Sequence, residues 1–156
     1  MIVIGIDVGA KGALCLIQNK KIEYLIPFKT IKSYIPLLTR MKNNENISIY
    51  VEQVHSMPRQ GVKSMFSFGQ RLGEIIGCLE ALELKYELVL PQQWQKEFYK
   101  KEQIEKDKEN TKEQIGQIIY NKFTYMSSKL IKRTGRINTD LTDAIAIAYT
   151  YMKGEK

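Results

Sequence analysis

The stretch IVIGIDVGAKGALCLI, residues 2–17, constrains the fold of this chain more than any other part of it. Two apolar runs, 2–7 and 13–18, flank VGAKG, a short turn with Gly9 and Gly12. That is the pattern of two buried strands joined as an antiparallel hairpin. The first run ends on a bare carboxylate, Asp7. A lone charge at the end of a central strand costs several kcal/mol or shifts its pKa until it is neutral. Lys11 is the only base close to it in sequence. Asp7 therefore needs a partner from elsewhere in the fold.

The remaining elements say where that partner comes from. A third strand spans 22–28 after the NKK turn, and TIKSYIPLLTRMKNN is a short helix candidate that Pro36 weakens. ISIYVE, 47–52, is a fourth strand with Glu52 at its C-terminal end. A loop with Pro58 and Gly61 leads into a long helix over 62–83, where Met65, Phe68, Leu72, Ile75, Leu79 and Leu82 recur at helical spacing. KYELVL, 85–90, is a fifth strand, followed beyond Pro91 by a short helical piece and a charged stretch. Thr111 is placed to cap a helix to about 126; 127–138 reads as a loop and 139–152 as the last helix. The first three strands suit an antiparallel meander, and strands reached through helices suit parallel pairing. The expected fold is α/β, a mixed five-stranded sheet flanked by helices, in the element order of ribonuclease H-like folds. The 156 residues, without internal repeat or linker, fit one domain over 1–156.

The last helix brings two more acids. In NTDLTDAIAIAYTYM, Asp140 and Asp143 lie one turn apart on one face. The following Ala144 to Ala148 are apolar all round, so the helix is expected to be buried against the sheet. Taken alone, the two acids also fit an ordinary helix start, with Thr139 or Asp140 as N-cap. Glu52 alone also fits a solvent-facing strand end. Together with Asp7, however, these carboxylates at strand and helix ends would repel one another without a cation. Oxygen-only ligands suit magnesium or manganese. Two such ions support hydrolysis of a phosphodiester.

Charge points the same way. The chain carries 24 Lys and Arg against 17 Asp and Glu, a net +7, which favours a polyanion, nucleic acid before membrane. Residues 121–139 hold Lys122, Lys129, Lys132, Arg133 and Arg136 with no acid, and 53–73 hold Arg59, Lys63 and Arg71 with none. No apolar run approaches the ~18 residues of a membrane span. The first strand has no basic leader, so it is not expected to be an export signal, and the expected compartment is the cytoplasm. Cys15 and Cys78 are expected to be buried thiols, and the lone histidine, His55, excludes a multi-histidine metal site.

GIDVGAKGALCLI, YVEQVHSMPRQGVKSMFSFG, PQQWQKEF, TKEQIGQII and DLTDAIAIA, in this order, resemble the RuvC family of Holliday-junction resolvases, most closely its divergent phage members. The resemblance covers nearly the whole chain. It implies that Asp7, Glu52, Asp140 and Asp143 are catalytic and hold Mg2+, two ions with Mn2+ able to substitute. It implies a homodimer that makes paired symmetric nicks across a four-way junction, leaving 5′-phosphate and 3′-hydroxyl ends. An aromatic residue that stacks on a junction base in the bacterial enzymes corresponds here to His55. Lys96 and Lys112 match the family's phosphate-contacting lysines. Of these, Lys112, at a helix N-terminus, is the better phosphate site. Lys132 and Arg133 precede Asp140 and would flank the scissile phosphate; Arg59 and Lys63 follow Glu52 and would contact DNA. Phe66 and Phe68 could substitute for that stacking aromatic, but their helical spacing makes the core the expectation for both, as it is for Trp94. Gly69, Gly73 and Gly77 make a smooth helical stripe for close contact with the sheet or a dimer partner.

Other readings remain open on the residues alone. His55 in place of an aromatic leaves a looser flap or fork endonuclease as the alternative. A non-catalytic branched-DNA binding module would explain the charge but not Asp7. GIDVGAKG also fits the first phosphate loop of an actin-like or sugar-kinase fold, but no second Gly-rich loop follows residue 110.

Overall fold

The computed structural model describes residues 1–53, 61–101 and 111–152. The strands are β1 (Ile2–Ile6), β2 (Ala13–Gln18), β3 (Lys21–Pro27), β4 (Ile47–Glu52) and β5 (Glu87–Val89). The helices are α1 (Ile35–Met41), α2 (Val62–Ala81), α3 (Pro91–Lys101), α4 (Thr111–Lys122), α5 (Ser127–Leu130) and α6 (Thr139–Met152). One sheet has the order β3-β2-β1-β4-β5. The β1–β2 and β2–β3 pairs are antiparallel, and β1–β4 and β4–β5 are parallel. This is the expected mixed five-stranded sheet.

The period-two alternation of strand side chains divides the core between the two faces of the sheet. Ile2, Ile4 and Ile6 of β1, with Ile49 and Val51 of β4, pack under Leu37 and Leu38 of α1 and Ile75 and Leu79 of α2. Val3, Cys15 and Ile17 pack on the other face, under Trp94 and Phe98 of α3, Ile115 and Ile119 of α4 and the apolar side of α6. Position 5 faces α6 as well, and there the helix backbone leaves no room for a side chain. A Cβ on Gly5 would lie 2.5 Å from the Ala148 nitrogen and 2.6 Å from the Ala144 oxygen. The small residues on both sides let α6 lie directly on β1.

Several boundaries differ from expectation for identifiable reasons. The helix candidate at 30–44 divides into a 3-10 turn, Ile31–Ser33, and α1, because Pro36 fits only the first turn of a helix. The expected loop at 127–138 contains α5 and an Ile131–Ile137 bridge. The cap of α6 falls on Asn138, whose carbonyl accepts the Leu141 and Thr142 N–H groups, rather than on Thr139 or Asp140. Cys15 is buried, but Cys78 is only half-buried, and both are free. Phe66, expected in the core, is 74% exposed; Phe68 packs partly against the α2 side of the sheet. Among the described residues, a Cβ at Gly69, Gly73 or Gly77 would meet nothing within 4 Å, so this stripe does not face the sheet. Among the described residues, no helix is long and apolar enough to cross a membrane.

Candidate active site

The β1–β4 register decides where Asp7 and Glu52 stand. Gly5 pairs with Tyr50 and Ile6 with Val51, so the next residues, Asp7 and Glu52, end neighbouring strands side by side. Alternation turns both toward the face covered by α6. Asp7 is held locally: its N–H donates to the Ala13 carbonyl at 3.0 Å, and its Oδ1 accepts the Gly9 N–H at 2.8 Å. A Cβ on Gly12 would collide with the Asp7 carbonyl, so this turn needs glycine there. Glu52 is buried, and its Oε1 accepts the Trp94 indole N–H at 3.1 Å.

The first turn of α6 lowers Asp140 and Asp143 toward the same place. Asp143 is 1% exposed. Its Oδ2 accepts the Lys112 ammonium at 2.8 Å, and its Oδ1 is buried with no hydrogen-bond partner among the described residues. Asp140 is half-buried, with Lys132 Nζ 3.4 Å from its Oδ2. Lys112 reaches the cluster from the first turn of α4. Gly116, one turn later, lets the two helices approach: a Cβ there would be 3.1 Å from Ile137 Cγ2 and Thr142 Oγ1.

Electrostatics tie the groups together. Burial raises the Asp7 carboxyl above its usual range, against the Gly9 hydrogen bond and the Lys112 charge, which lower it. Burial, then the Asp7 and Asp143 charges, push Glu52 up to about 8. Burial raises Asp143 to about 6, with Lys112 opposing. Burial of the Lys112 ammonium end favours its neutral form, but Asp143 first, then Asp7 and Glu52, outweigh this and hold it firmly protonated. Its side chain is nonetheless 63% exposed, so the cation stands at the mouth of the cluster.

These donors fit a hard divalent cation in their chemistry. They are all carboxylate oxygens, they repel one another when ionised, and one buried oxygen has no partner. Among the described residues, no three acidic, thiol or imidazole side chains already surround one point as ligands. Lys112 is the positive charge that Asp7, Glu52 and Asp143 share.

Of the expected DNA-contacting residues, Lys112 and Lys132 join the carboxylates. Arg133 is exposed in the segment before α6. Lys63, in the first turn of α2, and Lys96, on α3, are exposed and form no ion pair with the four acids. His55 and Arg59 lie outside the described residues. The Trp94–Glu52 bond escaped the sequence reading, although a buried indole always leaves an N–H in search of an acceptor.

No family model matches the chain, and no curated protein sequence matches it. Solved structures do. RuvC of T. thermophilus, in complex with a Holliday junction substrate, superposes with a TM-score of 0.63 at 16% identity, over 99% of this chain and 96% of that one. This chain has the RuvC-like resolvase fold. The same RuvC-like architecture relates it to the yeast mitochondrial Holliday junction resolvase Ydc2, with a TM-score of 0.57, 14% identity, and 97% and 77% of the two chains covered. It also relates it to the fowlpox virus resolvase, solved with its substrate Holliday junction DNA, with a TM-score of 0.54, 15% identity, and 97% and 99% covered.

Proposed function

We propose that this chain is a metal-dependent, structure-selective DNA endonuclease that resolves four-way junctions by paired symmetric nicks. The observation that carries this reading is the convergence of Asp7, Glu52 and Asp143, with Asp140 beside them, from β1, β4 and α6 of a RuvC-like fold. Residues 1–156 would act as one nuclease domain, in the cytoplasm, on branched DNA.

Asp7, Glu52, Asp140 and Asp143 would hold magnesium, two ions, with manganese as substitute. When bound, magnesium supplies Lewis acidity that eases loss of a proton from water and offsets charge on the scissile phosphate. The protein's own share is orientation and charge. Asp7 is fixed by the Gly9 N–H at the rigid centre of the sheet, and Glu52 beside it by the strand register. Lys112 stands where it can exchange part of its contact with Asp143 for a phosphate oxygen. Lys132 and Arg133 would flank that phosphate, while Lys63, Lys96, Arg59 and His55 extend the contact along the DNA arms. Hydrolysis adds water across the P–O3′ bond, leaving a 5′-phosphate and a 3′-hydroxyl.

A two-fold dimer suits a two-fold junction. Supporting it, Val62 and Phe66 are exposed in line with the open Gly69, Gly73 and Gly77 stripe on α2.

The test is cleavage of an end-labelled four-way junction with magnesium, comparing the natural chain with Asp7→Asn, alongside a Y-shaped fork and plain duplex. Symmetric junction nicks that vanish in the variant are expected. Cutting the fork as readily as the junction would favour the looser nuclease that His55 suggests. Binding without cleavage by either protein would make the chain a branched-DNA binding module.

A further inference from the structure

Trp94 is the only tryptophan in the sequence, and it is 0% exposed. An indole has one polar group, an N–H that only donates, and burying it without an acceptor is costly. A tryptophan used merely as core filling commonly meets that need with a backbone carbonyl or water. Here the acceptor is the carboxylate of Glu52, Oε1 at 3.1 Å, which is itself buried.

The direction of that N–H is set by three elements. At the start of α3, the Gln93 side chain accepts the Leu90 N–H at 2.7 Å, and the Gln93 N–H returns to the Leu90 carbonyl at 2.9 Å. One turn beyond Trp94, Phe98 meets the indole edge-on with centroids 6.4 Å apart. Phe98 in turn packs against Tyr149 of α6 at 6.3 Å. On the acceptor side, Glu52 is followed by Gln53, whose N–H continues the ladder to the Val89 carbonyl at 2.8 Å. The indole, 0% exposed and packed on Phe98, cannot turn its N–H away without moving α3 against the sheet.

We propose that Trp94 is a positioning residue: its indole N–H keeps the Glu52 carboxylate on the side of the sheet that Asp7 and Asp143 share, so that little movement is needed for Glu52 to join them as a divalent-cation ligand. The proposal rests on the metal-site reading above. Partners of this kind, hydrogen-bonded to a ligand rather than to the metal, orient the ligand and change metal affinity by roughly 10–100-fold. It also makes the indole an optical reporter of that carboxylate, since no other tryptophan contributes emission.

The experiment replaces Trp94 in the full chain by 3-benzothienylalanine, in which sulfur stands for the N–H and the ring shape is kept. The single tryptophan makes global replacement site-specific. Mg2+ binding is followed by calorimetry for the natural and substituted chains, with circular dichroism and thermal melting in chelator to check the fold; Trp94→Phe is the second variant. The natural chain is expected to bind Mg2+ with a saturable change in tryptophan emission that follows the calorimetric isotherm. The isostere is expected to keep its fold and bind about tenfold more weakly, and Trp94→Phe at least as weakly. A folded isostere that binds Mg2+ as tightly as the natural chain overturns the positioning role while leaving the metal site standing. A natural chain that binds neither Mg2+ nor Mn2+ overturns the metal-site reading and this proposal with it.

Discussion

Burial sets the protonation of Asp7, Glu52 and Asp143 before any ligand arrives. Their folded values are raised from the ordinary 3.8 of Asp and 4.5 of Glu, Asp143 to about 6 and Glu52 to about 8. The native state therefore holds protons that the unfolded chain has released, and stability falls as pH rises across that interval. Without metal, these groups should make the melting temperature fall from about pH 4 toward pH 8 and level off above it. Added Mg2+ should recover more at pH 8 than at pH 5, because cation and proton compete for the same oxygens. A melting temperature in chelator that is flat or rises from pH 5 to 8.5 would contradict the raised values. Lys112 is the residue most exposed to this balance. Lys112→Met leaves Asp143 without its 2.8 Å partner. Because the lysine side chain is 63% exposed, the loss in a urea titration should stay below the ~3–5 kcal/mol of a fully buried pair. Junction cleavage should fall on the order of 100-fold, as for loss of one charge-stabilising donor. Cleavage at the natural rate would remove Lys112 from the site.

At the scale of elements, the candidate site exists because α6 touches β1 without side chains between them. The atoms nearest a Cβ on Gly5 are backbone atoms of Ala148 and Ala144, so the helix cannot yield by a rotamer change and must move as a body. Asp140 and Asp143 move with it. Gly5→Ala should cost about 1–3 kcal/mol in a denaturant midpoint, the usual range for overpacking, and should reduce junction cleavage more than its stability loss explains. Natural stability and activity in that variant would show that α6 has slack against the sheet. The strands, their pairing sense and the last helix with its acids at i and i+3 were legible in the sequence because each leaves a local trace: apolar runs, glycines at a turn, helical spacing. The Trp94–Glu52 bond and the Lys112–Asp143 pair were not, because they join residues 42 and 31 positions apart. Their geometry depends on how α3 and α4 settle on the sheet.

For the whole molecule, the open face of α2 carries the dimer proposal. Val62 is 85% exposed and Phe66 74%, and the glycines that continue their line have free space around them. Glycine in a helix interior costs about 1 kcal/mol against alanine. Three of them with no neighbour among the described residues would serve, in the proposed dimer, as a smooth strip for a second copy. Gly73→Arg should leave the far-ultraviolet spectrum of the monomer unchanged and its melting unchanged or slightly raised, because arginine is the better helix former. It should shift the species seen by sedimentation from dimer to monomer, and with it paired nicking of one junction should give way to single nicks. A natural chain that sediments as a monomer at all concentrations, or a Gly73→Arg protein that remains dimeric, would move the interface elsewhere.

The identities and spacing of the residues were enough to settle the five strands, their pairing sense and the long helices, though not α5 or the division of the 30–44 segment. Hydrophobic period and turn chemistry are properties of neighbours along the chain. They were enough, too, to mark Asp7 as a charge that needs an answer. They did not settle which way α2 turns its glycines, that Phe66 stands in solvent, or which acids carry the strongest desolvation. Those depend on what lies across the fold: a helix backbone 2.5 Å from where a Cβ on Gly5 would stand, an indole N–H donating to Glu52, an ammonium on Asp143. Local pattern acts through adjacent residues, whereas burial and electrostatics act through space, and only the packed tertiary structure sets those distances.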